Sequence, residues 1–135
     1  MWREIWTDGR ALPADVGGGA PTSPDPRWYG YSVGRWEDDY TFVVETAGTN
    51  ERAWVDYFGR PHSAAAHFEE RYRRVDRDTL EASVTITDPE IYTRPFVAMR
   101  QTFARADRQE LEEQLCVPSE AIEYFKTIAE PAAAP

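Results

Sequence analysis

The sequence is poor in the residues from which the commonest enzyme sites are made. It holds a single cysteine, Cys116, and two histidines, His62 and His67. One cysteine forms no intramolecular disulfide and says nothing firm about compartment. The acidic residues preceding Cys116 also disfavour a thiolate there. The two histidines stand five positions apart with no second acidic motif, so no metal site is expected. Ser63 lies in no G-x-S-x-G elbow, and the glycines Gly17, Gly18 and Gly19 sit among prolines and do not follow a strand, which argues against a phosphate-cradling loop. Positive charge is scarce as well: 15 Lys and Arg stand against 24 Asp and Glu, a net charge of −9. Such a balance repels a phosphate backbone or an anionic bilayer, so neither nucleic acid nor a membrane is an expected partner. The opening Met-Trp-Arg-Glu-Ile-Trp lacks the apolar core of a signal peptide, and no later run is long enough to span a bilayer. As written, the chain is expected to stay in the cytoplasm.

What remains is a β pattern. The 135 residues fit one domain with its own core. Alternation marks a first strand over residues 2–7, closed by Asp8-Gly9. Residues 10–27 are rich in Pro, Gly and small side chains and are expected to be a flexible loop. Residues 28–36 and 40–46 read as a hairpin around Glu37-Asp38-Asp39. Residues 63–75 contain good helix formers, yet alternation favours a strand with Phe68, Glu70 and Tyr72 on one face. The clearest half-buried strand is 79–88, where Leu80, Ala82, Val84 and Ile86 alternate with polar residues until Asp88-Pro89 ends the ladder. A last hairpin is expected over 96–105 and 109–117, then a helix over 120–129 begun by Pro118-Ser119, and a disordered tail over 130–135. Roughly seven strands in succession without βαβ spacing predict an all-β antiparallel meander that closes into a whole or incomplete barrel.

The chemistry gathers in residues 50–63, a connection carrying His62, Asp56, two arginines and three aromatics. His62 suits proton transfer, with Asp56 to orient it; a loop histidine bonded to backbone is the alternative. Glu70, between Phe68 and Tyr72, is expected to face inward, where it would either take up a proton or pair with Arg94 or Arg100. Glu113 repeats that pattern near the C-terminus. Tyr92 and Arg94 would stabilise developing negative charge, or Arg94 would only pair with Asp88. Trp28, Trp36, Trp54, Tyr57 and Phe58 would line a cavity or serve as core.

Several of these segments together resemble an uncharacterised bacterial family common in acidobacterial and proteobacterial genomes. The similarity runs through Gly34-Arg35-Trp36-Glu37, Asn50, Trp54 and Asp56, then Gly59-Arg60-Pro61-His62-Ser63 and Glu70-Arg71-Tyr72-Arg73-Arg74. It continues through Asp78-Thr79-Leu80, Asp88-Pro89 and Tyr92-Thr93-Arg94-Pro95. The chain departs from the family pattern at Glu51, Phe96 and Glu112-Glu113-Gln114. The resemblance implies a lipocalin-like barrel, and many members look exported. Together these readings predict a cofactor-independent acid/base enzyme, an isomerase, cyclase or lyase, acting on a small, partly apolar molecule. His62, Asp56, Glu70, Tyr92 and Arg94 would be catalytic; Trp36, Trp54, Tyr57, Phe68, Tyr72, Arg100 and Glu113 would bind. The competing readings are a non-catalytic carrier of an apolar ligand and a protein-interaction module, with a homodimer open in each case.

Overall fold

The computed structural model describes residues 3–56, 58–106, 122–123 and 126–127. Residues up to 105 form one compact unit, and 106–135 a second. The first unit is a six-stranded sheet in sequence order, β1 (Ile5–Trp6), β2 (Tyr31–Trp36), β3 (Thr41–Ala47), β4 (His67–Arg74), β5 (Thr79–Thr87) and β6 (Phe96–Ala104). From β2 to β6 each successive pair is antiparallel, β2–β3 and β4–β5 across short polar turns and β3–β4 and β5–β6 across longer connections. The expected barrel is not closed, since β1 and β6 are the two ends of the strand order and do not pair with each other.

β1 departs most from expectation. It contributes only Ile5 and Trp6 and runs parallel to β2, with Ile5 opposite Ser32 and Trp6 opposite Val33. A parallel neighbour needs a long connection, and residues 7–30 supply one. Gly34 lets β1 approach: a Cβ there would stand 2.9 Å from Ile5 and nearer still to the Phe42 ring. The connection is also more tightly held than its composition suggests. Gly17 N–H bonds to the Pro24 carbonyl, Ser23 to Asp15, and Arg27 N–H to the Gly48 carbonyl, while Val16 packs against Gly48. Pairing with residues 47–49, not a core of its own, orders this loop.

Val43 and Val44, adjacent on β3, are both fully buried, so the sheet is covered on both faces at its centre. Ala66, Ala82 and Ile86 complete the small apolar core. On one face the rows Val44, Glu70, Val84, Met99 and Thr46, Phe68, Ile86, Phe96 run across β3 to β6, with a bulge near Val84 and Thr85. Of the helix expected over 120–129 only four residues are described, too few to define one. The strand over 109–117, the tail over 130–135, Tyr57, Glu113 and Cys116 lie outside the described residues. Among those described, no helix is long and apolar enough to cross a membrane.

Candidate functional site

Alternation along β4 puts Glu70 on the covered face between Val44 and Val84, and it is 7% exposed. Its partner comes from the other end of the chain. Arg3 donates from both terminal nitrogens to the two carboxylate oxygens, at 2.5 and 3.0 Å, and the Tyr72 hydroxyl donates at 2.5 Å. Neither Arg94 nor Arg100 is the partner. Burial pushes the Glu70 carboxyl up, but the bonds from Arg3 and Tyr72 and the arginine charge outweigh it, so the group lies below its ordinary range. Of the two expected states, protonated acid or paired anion, Glu70 is the paired anion, with Arg3 in place of Arg94 or Arg100. Burial and the bond to Glu70 push the Tyr72 phenol up to about 12.

His62 is buried, with its ring edge-on to Phe68 at 5.7 Å between centroids. Its Nδ1 lies 3.0 Å from the Ser63 carbonyl and 3.4 Å from the Thr49 hydroxyl. A carbonyl only accepts, so Nδ1 carries the proton and Nε2 is left as the basic nitrogen. Asp56 does not orient it. That carboxylate accepts from the Phe58 and Arg60 amides and from the Arg60 side chain at 2.8 Å, fixing a turn within its own loop.

Asp88 holds the loop to the sheet, a role not apparent in the sequence. It is 1% exposed and accepts from Ser63 N–H at 2.6 Å, the Ser63 hydroxyl at 2.7 Å, and the Glu90 and Ile91 amides. Burial raises this carboxyl and the four bonds lower it further than burial raises it. The Tyr92 hydroxyl adds a second tie by donating to the Pro61 carbonyl at 2.8 Å, and its ring meets Phe96 edge-on. Arg94 is exposed beside a shallow pocket of about 320 Å³ and does not pair with Asp88. No hydrogen bond or ion pair among the described residues joins Tyr92 or Arg94 to the side chains of His62 or Glu70. The five residues expected to be catalytic are thus not gathered on one reacting atom. The only sign of the clamp in the sequence was the pair of short motifs His62-Ser63 and Asp88-Pro89, which carry no information about pairing.

The expected ligand-binding residues disperse likewise. Trp36 is 67% exposed and packs on Phe42, Trp54 is 71% exposed in its loop, Phe68 covers His62, and Tyr72 serves Glu70. Arg100 lines a groove with Arg71 and Arg73, away from Glu70.

A cleft with aromatic walls lies elsewhere, at the β1 edge. A cleft of about 660 Å³ opens where β1 meets the turn into β2. Trp6, Trp28, Tyr29 and Tyr31 form aromatic walls, and Ala53 joins them from the 50–63 connection. Arg3, Glu4 and Arg27 supply charge at its margin. Gly30 permits the turn: its φ of 61° is left-handed, and a Cβ would meet the Ala47 carbonyl at 2.5 Å. Two rings carry the chain's own cations, with Arg10 over Trp6 at 3.8 Å and Arg27 over Tyr31 at 4.5 Å. Of this wall, sequence reasoning singled out Trp28; the parallel placement of β1 that brings Trp6 beside it has no local signal.

No family model, no curated protein and no solved structure matches the chain.

Proposed function

We propose that this protein binds a small, aromatic or partly apolar organic molecule in the cleft between β1 and the 27–31 turn. The supporting observation is the cleft itself: about 660 Å³, within the size range of small-molecule sites, walled by two tryptophans and two tyrosines with a few charged groups at the margin. The membership in the bacterial family suggested by the motifs is part of the same proposal. On this reading its shared motifs around His62-Ser63 and Asp88-Pro89 hold the scaffold, because their polar groups bond to one another. Titration with a panel of bicyclic aromatics, followed by tryptophan fluorescence, tests the reading. Quenching that is saturable in the wild type, with about tenfold weaker binding in Trp28→Ala, is expected; equal binding by the variant, or no binding at all, would sink it.

The acid/base reading survives as a second proposal, narrowed to His62. Donation from Nδ1 to the Ser63 carbonyl supports it, since that bond keeps Nε2 available as a base. Once a converted substrate is in hand, unchanged turnover by His62→Gln would eliminate it.

A further inference from the structure

We infer that the cleft selects an aromatic carboxylate, with Arg27 as the residue that recognises the anion; this rests on the ligand-binding reading above. Three arginines stand around the cleft in a chain whose net charge is −9, and two of them are already neutralised. Arg3 gives its forked face to Glu70. Arg10 is held by Asp8 and also lies in the field of Glu4, an acid at the cleft margin. Arg27 has no ion-pair partner among the described residues. Its guanidinium lies over the Tyr31 ring, and its backbone is fixed by the bond to the Gly48 carbonyl, the amide of Asn50 and the bridge to Thr49.

Stacking on a ring occupies the face of a guanidinium and leaves its N–H edge to fork a carboxylate. The fixed backbone lowers the ordering cost of that contact. The neighbouring Trp28, 63% exposed, offers an apolar face to a flat ring system, so one ligand would meet both features. A cationic aromatic fits less well, because Arg10 and Arg27 already bring positive charge over the Trp6 and Tyr31 rings.

Calorimetric titration with 2-naphthoate, its neutral isostere 2-naphthamide and the cation 2-naphthylmethylammonium separates the possibilities. The wild type is expected to bind naphthoate roughly tenfold more tightly than the amide, and the cation most weakly. In Arg27→Gln the naphthoate preference should vanish while naphthamide binding stays within about twofold; Arg27→Lys should restore only part of it. If amide and carboxylate bind the wild type equally, or if Arg27→Gln keeps the preference, the carboxylate inference fails and the binding reading stands. If none of the three probes binds the wild type, both fail.

Discussion

Two regions of the molecule differ in what they leave uncovered. At the corner formed by residues 50–63 and the Asp88 to Phe96 connection, almost every group with chemistry is occupied: Asp88 by Ser63 and two amides, Asp56 by Arg60, Tyr92 by Pro61. At the β1 edge Arg3 and Arg10 are paired as well, but Trp6, Trp28 and Tyr29 are each more than a third exposed around an open cleft. A density of ionisable side chains therefore marks the place where this small fold is fastened together. Apolar surface left exposed at a concavity marks the place where something else can dock.

The contrast can be broken by substitution. Asp88→Ala carries the largest expected effect, because it strands the two buried Ser63 donors and frees the part-buried Glu90 and Ile91 amides; a loss of about 3 kcal/mol in urea unfolding is expected, with cleft affinity unchanged in the folded protein. Glu70→Gln comes next at roughly 2–3 kcal/mol, since it leaves the Arg3 charge half-buried without its partner. Unlike Asp88→Ala, it should also weaken ligand binding, because Arg3 both lines the cleft and anchors β1. Trp28→Ala should lower cleft affinity about tenfold while moving stability by less than about 0.5 kcal/mol, the ring being 63% exposed. The smallest change is expected from Asp56→Asn: its exposed bond to Arg60 is worth under about 1 kcal/mol, and neither unfolding nor binding should shift beyond that.

Acid offers a test of the fastened regions. Glu70 and Asp88 both ionise below their ordinary range when folded. Their contribution is fully present above the unfolded carboxylate value of about 4 and is lost as pH falls through the lower folded values. Urea midpoints should be flat from near neutrality down to that region and fall below it, and Glu70→Gln should shallow the decline. A midpoint that fell instead between pH 6 and 7 would point to a different group.

Local pattern carried much of the fold. The turn Glu37-Asp38-Asp39 joins two strands where alternation put them, and the period-two reading of residues 63–75 set Glu70 on the covered face. Alternation states a face and is silent about the partner across space. The sequence thus pointed to Arg94 or Arg100 for Glu70, whereas Arg3 is 67 positions away and reaches it only because β1 lies parallel beside β2. The same long-range step hid the cleft, whose walls combine Trp6 with Trp28 and Tyr31. Barrel closure failed as an expectation for a related reason. Strand count and short turns determine a meander, but closure depends on the end strands meeting, and β1 is only two residues long.

That brevity has a kinetic consequence. An element held by two residues of ladder and one charged fork, at the end of a long connection, gains little until the rest of the sheet exists for it to join. β1 should dock late in folding and open first in the native state, with the Trp6 amide exchanging well ahead of those in β3 and β4. Since the cleft is complete only when β1 is docked, a bound ligand would act as a latch on the N-terminus. Its presence would be read as slowed exchange there and nowhere else.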